Sequence, residues 1–269
     1  MELKEKYEKL KSVIQSYGRV AVAYSGGVDS TLLAKVSYDV LGANAVAITL
    51  VSPMNAKSEM KDADDFAKEI GINHYRILDK DVEPEVLANP VNRCYFCKKI
   101  EFTKILEKAN ECGIKTVFDG SNIDDLSDYR PGLQALSELK VVSPLREAQL
   151  TKNDIRQLSK QLGLRSWEKP ALACLGSRVP YGEKITLEKL SKIDRAEDYL
   201  RSIGLVQFRV RSHDDMARIE LAPDERSKLF NADLLDKISA TIKSYGYVYV
   251  CFELEGYKTG SLNRKLDLQ

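Results

Sequence analysis

The feature that most constrains the fold is a glycine-rich turn between an apolar strand and a helix near the start of the chain. The run at 19–24 is apolar and β-branched, the turn at 25–30 reads S-G-G-V-D-S, and a helical pattern occupies 30–41. At such a junction backbone N–H groups and a helix N-terminus converge on one point, which binds phosphate. Gly26 and Gly27 let an anion approach the main chain without a Cβ in the way. The turn therefore predicts a nucleotide site.

The composition of the turn separates it from two familiar nucleotide loops. A Walker loop reads G-x-x-x-x-G-K-[ST], but no Lys follows the second glycine here, so the loop itself places no side-chain cation over a γ-phosphate. The dinucleotide pattern G-x-G-x-x-G is also absent. The turn resembles the PP-loop of ATP pyrophosphatases, which implies transfer of AMP from ATP to a substrate and release of pyrophosphate. The alternative is an ordinary βα turn with Asp29 or Ser30 as a helix N-cap.

Apolar runs alternate with helical patterns over the first part of the chain. The predicted strands are 19–24, 44–51, 73–78, 115–119 and 139–143, and the predicted helices are 30–41, 57–70, 95–112 and 151–162. This alternation predicts an α/β fold, Rossmann-like, with a parallel sheet and helices on both faces. Ligands of such folds bind at the carboxyl ends of the strands.

The pattern changes in the last third of the chain and predicts a small α+β domain. It consists of a helix at 186–203, a helical pair at 223–245 and strands at 206–211, 217–221 and 247–254. We therefore expect a PP-loop domain at 1–168, a junction loop carrying Cys174 at 169–182, and a small substrate or oligomerisation domain at 183–269.

Charge and hydropathy argue against several classes of function. The 41 Lys and Arg residues nearly balance the 40 Asp and Glu residues, so the chain lacks the positive field of a nucleic-acid-binding protein. No apolar run approaches the roughly 20 residues that span a bilayer. The charged start at 1–6 lacks the apolar core of a signal peptide. We expect a cytoplasmic protein that binds neither nucleic acid nor a membrane.

The cysteines form the second cluster of signals. In a reducing compartment, metal-binding or catalytic roles are commoner for cysteines than disulfides. Cys94 and Cys97 form a C-x-x-C pair at a helix start, which fits a redox pair, half a zinc site or two core cysteines. Cys174 lies in a loop flanked by prolines, which indicates a positioned active-site thiol or a buried one. For Cys112 and Cys251 we expect ordinary buried thiols.

Four motifs that follow one another along the chain together resemble a known enzyme family more specifically than any single motif does. They are S-G-G-V-D-S at 25–30, N-P-V-N-R-C-x-x-C-K-K at 89–99, D-G-S-N-x-D-D-x-x-D-Y-R-P-G at 119–132 and P-A-x-A-C-L-x-S-R at 170–178. Together with R-V-R and A-R-I-E in the last third, they resemble the LarE family of ATP-dependent sulfur transferases over nearly the whole chain. The resemblance implies conversion of the carboxylates of pyridinium-3,5-biscarboxylic acid mononucleotide to thiocarboxylates, for the nickel-pincer nucleotide cofactor of lactate racemase.

Two sources of sulfur are consistent with that resemblance. In one branch of the family the Cys at the position of Cys174 donates its own sulfur and becomes dehydroalanine. In the other, three cysteines hold a [4Fe–4S] cluster whose fourth iron can carry an extra sulfide. The presence of Cys94 and Cys97 beside Cys174 favours the cluster form, because a C-x-x-C pair has no part in the first reaction.

The resemblance also implies roles for the remaining candidate residues. For ATP and Mg²⁺ these are Ser25, Gly26, Gly27, Asp29 (also a Mg²⁺ ligand), Ser30, Thr49, Ser52 and Asp125, with Lys98 neutralising phosphate. For the substrate's anionic groups they are Arg178, Arg209, Arg211, Glu197 and Glu220. Ordinary alternatives remain for each: a solvated Lys98, an Asx-rich loop at Asp125, or an ion pair of Glu220 with a neighbouring Arg. The family further implies a hexamer.

Three other functions compete. Some tRNA thiolases pair a PP-loop with C-x-x-C and an iron–sulfur cluster, but the chain shows no RNA-binding module. NAD and GMP synthetases use a PP-loop for amidation and need no cysteine set. A regulatory protein with zinc or a cluster would sense the nucleotide without catalysis. None of them explains every motif.

Overall fold

The computed structural model describes residues 2–127, 131–170 and 173–258. In chain order, the helices α1 to α10 are Leu3–Tyr17, Val28–Leu41, Lys57–Ile70, Pro84–Leu87, Arg93–Glu111, Gly132–Glu138, Pro144–Glu147, Lys152–Gln161, Leu187–Ser202 and Ala232–Lys243. The strands β1 to β7 are Val20–Ala23, Ala45–Val51, Asn73–Leu78, Val117–Phe118, Phe208–His213, Met216–Leu221 and Tyr249–Phe252. Short 3₁₀ turns occur at Gly42–Asn44, Ile123–Ser127, Arg165–Glu168, Leu175–Arg178 and Arg226–Leu229.

The chain divides into two compact units. Unit 1 comprises the described parts of 1–52, 57–81 and 92–172, and unit 2 comprises those of 53–56, 82–91 and 173–269. Unit 2 thus includes two short segments from the first half of the chain, at 53–56 and 82–91.

Unit 1 is built on a parallel sheet with the strand order β3-β2-β1-β4. Successive side chains of a strand point to opposite faces, so β1 contributes to two cores. Val20 and Val22 lie in a core shared with α1, α2, α3 and α8, whereas Ala21 lies in a core shared with α5. The predicted α/β fold with helices on both faces is confirmed.

One predicted strand of unit 1 is wrong. The run at 139–143 forms only a single parallel bridge, between Phe118 and Val142. Pro144 follows as the first residue of α7 and has no N–H to extend a ladder. The neighbouring strand β4 is itself only two residues long, so little sheet is available on this side.

The strand order of unit 1 creates a topological switch point at β1. The chain leaves β1 toward β2 on one side and later returns to place β4 on the other side. In open parallel sheets the crevice at such a point, outside the carboxyl ends of the strands, binds the ligand. The turn at 25–30 follows β1 and the segment at 119–125 follows β4, so both flank this crevice.

Unit 2 has a three-stranded mixed sheet in the order β5-β6-β7, with β5 antiparallel and β7 parallel to β6. Its core joins the sheet to α9 and α10. Cys251 lies on the edge strand β7 and is exposed, so the expectation of a buried thiol is wrong there. Across the described residues, every helix is too short or too polar to cross a bilayer.

Candidate active site

The turn at 25–30 is closed by its own hydroxyl groups. The Ser25 and Ser30 hydroxyls lie 3.2 Å apart, Ser30 Oγ donates to the Gly27 carbonyl at 3.3 Å, and the Gly27 N–H donates to Ser25 Oγ at 3.4 Å. Gly27 is the N-cap of α2 and, as a glycine, has no side chain with which to cap the first turn of that helix. A 14-residue helix therefore presents its N-terminus, where anions are favoured, to the turn. This loop fits the phosphates of a nucleotide.

Gly26 is required by both backbone conformation and packing. Its φ is +69°, and a Cβ built on it would lie 2.7 Å from Ala63 Cα on helix α3. Gly27 has an ordinary φ of −74°, and its added Cβ would meet only Ser25 Oγ, at 3.4 Å. The first glycine thus allows the turn to lie directly against α3.

We expect Gly26→Ala to destabilise the protein by about 1–3 kcal/mol from its left-handed backbone alone, with the clash against Ala63 adding to this. Urea unfolding measures the loss. Gly27→Ala is the matched control and should cost less, about 1 kcal/mol, because Gly27 has an ordinary φ and the loss is only that of placing Ala at an N-cap. Equal effects of the two substitutions would contradict the packing described here.

The segment after β4 contacts the turn. Asn122 Nδ2 donates to Asp29 Oδ1 at 3.3 Å, and the Asn122 N–H donates to Asp125 Oδ2 at 2.9 Å. Asp119, buried at the end of β4, accepts the Ser121 N–H at 2.9 Å. Asp125 therefore shapes the segment that contacts Asp29. Residues 128–130 of the motif at 119–132 lie outside the described residues.

Two lysines that none of the sequence motifs predicted to bind ATP lie at the turn at 25–30. Lys152 Nζ forms an ion pair with Asp29, and Lys169 Nζ donates to the Gly26 carbonyl at 3.3 Å. Lys152 is the first residue of α8, which begins at a capping box of Thr151 and Asp154. The capping box marks the start of the helix, but no local pattern shows that this start lies beside Asp29.

Thr49 and Ser52, two of the residues expected to bind ATP, differ in their surroundings. Thr49 on β2 is buried, its hydroxyl donates to the Tyr24 carbonyl, and it lies 2.7 Å from His74 Nε2. These internal contacts occupy the hydroxyl. Ser52, directly after β2, is half-buried at the carboxyl end of the sheet.

We expect His74 to make stability fall as the pH falls below about 6.5. Burial lowers the pKa of His74 from its ordinary value of 6.5; Asp64 opposes this effect and Arg76 adds to it. Below that pH the unfolded chain takes up a proton that the folded state resists, so acid favours unfolding until the folded pKa is reached. Thermal unfolding of wild type and His74→Asn between pH 8 and pH 5 measures the effect. Parallel curves for the two proteins would show that His74 is not the cause.

Cys94 and Cys97 lie on the first turns of α5 in unit 1, three residues apart and therefore on one face of the helix. Both are half-buried and neither forms a disulfide. Lys98 follows them, and its Nζ lies 2.9 Å from Glu101 Oε2. Burial opposes its charge, but Glu101, Cys97 and Asp119 outweigh burial and raise the pKa of Lys98 above its ordinary value. Lys98 is thus a permanent cation beside the thiol pair.

In unit 2, Cys174 is the N-cap of the 3₁₀ turn Leu175–Arg178 and is half-buried. The guanidinium of Arg178 spans this turn: Nη1 donates to the carbonyls of Ala173 and Cys174, the latter at 2.9 Å. Nε and Nη2 donate to the two carboxylate oxygens of Glu197 at 2.9 and 3.0 Å. The side chains of Arg178 and Glu197 are 1% and 3% exposed. Arg178 therefore holds the backbone of the Cys174 turn.

Arg209 and Arg211 on β5 are buried, although alternation along an outer strand would leave such charges exposed. Arg211 donates to Glu220 Oε2 at 2.9 Å and to the Ser177 carbonyl at 2.8 Å, so Glu220 forms the ion pair that the sequence left open. Arg209 lies 4.9 Å from the Tyr257 ring. Burial and the neighbouring charge of Arg178 lower the pKa of Arg209, with Glu197 opposing. Its surroundings therefore disfavour the charge of Arg209, which a nearby anion would stabilise.

The donor chemistry of the cysteines fits an iron–sulfur cluster, because two thiols three residues apart on a helix can chelate one metal centre. Cys94 and Cys97 belong to unit 1 and Cys174 to unit 2. Within the described ranges, no group of three or more His, Cys, Asp or Glu side chains is placed to hold a metal ion.

Known proteins are similar to this chain over different extents. A family model described as NAD synthase matches residues 2–93. An uncharacterized protein of Synechocystis sp. is 49% identical, over 98% of this chain and 99% of its own length. The pyridinium-3,5-bisthiocarboxylic acid mononucleotide synthase of Lactiplantibacillus plantarum is 37% identical, over 98% of this chain and 96% of its own. A tRNA-specific 2-thiouridylase of Fusobacterium nucleatum is 28% identical, over only 56% of this chain and 47% of its own.

Proposed function

The chain belongs to the LarE family of PP-loop enzymes, and we propose on that basis that it converts pyridinium-3,5-biscarboxylic acid mononucleotide to its thiocarboxylate form with ATP. The observation that carries the proposal is the 37% identity to the Lactiplantibacillus plantarum synthase over 98% of this chain. The product would serve the synthesis of the nickel-pincer nucleotide cofactor.

The first step is activation of a carboxylate, which is a poor electrophile because its leaving group would be oxide. A carboxylate oxygen of the substrate attacks the α-phosphorus of ATP, the bond from that phosphorus to the β-phosphate oxygen breaks, and pyrophosphate leaves. The turn at 25–30 and the N-terminus of α2 bind the phosphates. Asp29 is the proposed ligand of Mg²⁺, which neutralises phosphate charge when bound. Asn122 and Asp125 hold the neighbouring segment against Asp29.

The second step brings sulfur to the acyl-adenylate, from which AMP departs. In the form that we favour, Cys94, Cys97 and Cys174 would hold a [4Fe–4S] cluster, and the chemistry that it would supply when bound is an exchangeable sulfide. In the alternative, the Cys174 thiolate attacks the acyl carbon and a thioester forms. Loss of the Cys174 α-proton and cleavage of its Cβ–S bond then leave dehydroalanine and the thiocarboxylate. Lys98 balances negative charge beside the thiol pair in either form.

The substrate's phosphate and carboxylates are anions, and we propose that Arg209 and Arg211 bind them. The buried positive charge of β5 supports this role, since guanidinium groups match such anions bidentately. Glu220 orients Arg211, and Glu197 orients Arg178. Because Arg178 donates to carbonyls of the Cys174 turn, it serves as a positioning residue rather than as a substrate ligand.

We also propose that copies of the chain associate as a hexamer, as the family resemblance implies. Light scattering of the purified protein measures this directly. A monomer at micromolar concentration would remove this part of the proposal and leave the chemistry unaffected.

The proposal is tested by incubating anaerobically purified protein with ATP, Mg²⁺ and the pyridinium biscarboxylate nucleotide. Pyrophosphate release, product mass and protein mass are measured together. We expect sulfur in the product and pyrophosphate release that depends on the pyridinium nucleotide. Release that responds instead to tRNA would favour thiolation of RNA.

The same assay separates the two sulfur sources. If a cluster donates sulfur, the protein contains iron and sulfide, and Cys94→Ala and Cys97→Ala lose activity. If Cys174 is consumed, both variants stay active and each turnover removes one sulfur from the chain. Iron-free protein that follows the second course would eliminate the cluster form.

A further inference from the structure

The loop at 25–30 lacks the lysine with which other nucleotide loops neutralise the outer phosphates of ATP. Pyrophosphate is the leaving group of the proposed reaction, and negative charge accumulates on it as the bond to the α-phosphorus breaks. Enzymes that transfer phosphoryl or nucleotidyl groups stabilise such charge with Lys, Arg or Mg²⁺. Cationic side chains from outside the loop can stabilise the charge on the departing pyrophosphate.

Lys152 is held beside the loop by two contacts. Its Nζ forms an ion pair with Asp29, and its backbone N–H donates to Asp124 Oδ2 at 2.7 Å. The side chain is 34% exposed, so the ammonium group can change partners without unfolding its surroundings. A divalent cation on Asp29 would compete with the ammonium group for that carboxylate and would leave Lys152 available to another anion near the loop at 25–30.

Lys169 contacts the same loop and directly follows the 3₁₀ turn Arg165–Glu168. Its Nζ donates to the Gly26 carbonyl at 3.3 Å and lies 2.7 Å from Asp62 Oδ2 on α3. The side chain is only 12% exposed, and its ammonium lies 5.2 Å from the centre of the Phe66 ring. This cation is therefore held in place before any nucleotide binds.

We propose that Lys152 and Lys169 bind the β- and γ-phosphates of ATP and then the departing pyrophosphate. The inference rests on the proposed use of ATP, but it concerns the outer phosphates alone. It assigns to two residues outside the loop the role that the loop's own sequence leaves open. AMP, which lacks these phosphates, should bind independently of both lysines.

Calorimetric titration with inorganic pyrophosphate, ATP and AMP, each with Mg²⁺, tests the proposal without the sulfur acceptor. Lys152→Met and Lys169→Met keep the aliphatic stems and remove the charge. A hydrogen bond to a charged group is stronger than one between neutral groups, so we expect each variant to bind pyrophosphate and ATP at least about tenfold more weakly. AMP affinity should change by less than about twofold, well below one tenfold step, because AMP lacks the two phosphates that the lysines bind.

Lys35→Met is the matched control. Lys35 forms a comparable Lys–Asp pair with Asp39 on α2, with its Nζ 2.5 Å from Asp39 Oδ1, and lies about 10 Å along the helix from its first residue. This variant should bind all three ligands as the wild type does. Lys152→Arg and Lys169→Arg restore a cation and should recover most of the pyrophosphate affinity.

Asp62→Asn gives a result of opposite sign. Removing this carboxylate leaves Lys169 without its competing partner, so pyrophosphate should bind more tightly than in the wild type. A purely structural role for Lys169 predicts instead that Asp62→Asn and Lys169→Met both lower the unfolding temperature and leave pyrophosphate affinity unchanged. Wild-type pyrophosphate affinity in the two Met variants would overturn the inference and leave the proposed function standing. A wild type that binds neither ATP nor pyrophosphate would instead overturn the proposed function.

Discussion

Cys174→Ala should abolish sulfur transfer while leaving pyrophosphate release that depends on ATP and the pyridinium nucleotide. Both sulfur sources require this thiol, as a ligand of the cluster in one and as the donor in the other. The loop at 25–30, where we propose that ATP binds, belongs to unit 1, whereas Cys174 belongs to unit 2. Activation of the carboxylate therefore has no chemical need for the thiol, and the acyl-adenylate should accumulate or hydrolyse.

The experiment follows pyrophosphate by a coupled assay and thiocarboxylate by mass spectrometry, in wild type and variant. Cys251→Ala is the matched control, because this exposed thiol lies on β7 of the same unit. It should retain both activities. Thiocarboxylate formation by the Cys174→Ala protein at more than a small fraction of the wild-type rate would contradict the proposed chemistry.

Glu197→Gln is expected to lower the free energy of unfolding by about 3–5 kcal/mol, the usual cost of leaving one partner of a buried ion pair without the other. The carboxylate accepts two hydrogen bonds from Arg178 and one from the Val210 N–H, at 2.9 to 3.0 Å. The variant keeps the shape of the side chain but removes the charge that balances Arg178. Because Arg178 also holds the carbonyls of the Cys174 turn, we expect slower sulfur transfer as well.

The pH dependence of stability provides a second measure of the same pair. Burial alone would raise the pKa of Glu197, but the charge and hydrogen bonds of Arg178 and the Val210 N–H outweigh it, and the pKa falls below its ordinary value of 4.5. The stabilisation is therefore complete above that pH and is lost as the pH falls toward the folded pKa. Urea unfolding of the Glu197→Gln variant should show a weaker loss between pH 5 and pH 3.

Glu188→Gln is the control for this prediction. Glu188 lies on the same helix and pairs with Lys192 at 2.7 Å, but its side chain is 75% exposed. Solvent screens such a pair, so its unfolding midpoint should match that of the wild type. If both variants lose the same stability, the buried pair is not the cause.

Local patterns predicted most of the secondary structure. The helix at 57–70 and the strand at 73–78 have the predicted bounds, because amphipathic spacing and β-branched runs are properties of neighbouring residues. The strand expected at 139–143 failed where two effects competed: the run is apolar, but Pro144 and the short β4 leave it little to pair with. The sequence of one segment does not show which distant segment it will pair with in a sheet.

The order of residues along the chain was sufficient to predict the α/β class, which the structure confirms, and to select the loop at 25–30 and the cysteines as candidate site residues, since each depends on spacing within a short window or on motifs in series. The sequence did not show which residues would form ion pairs with the buried charges. Lys152 and Lys169 reach the loop at 25–30 from more than 120 residues away, and Arg178 pairs with Glu197 on another helix. Such contacts form because burial makes an unpaired charge costly, and the fold decides which opposite charge is within reach. The missing lysine of the phosphate loop was visible in the sequence, but its replacements became visible only when the chain was folded.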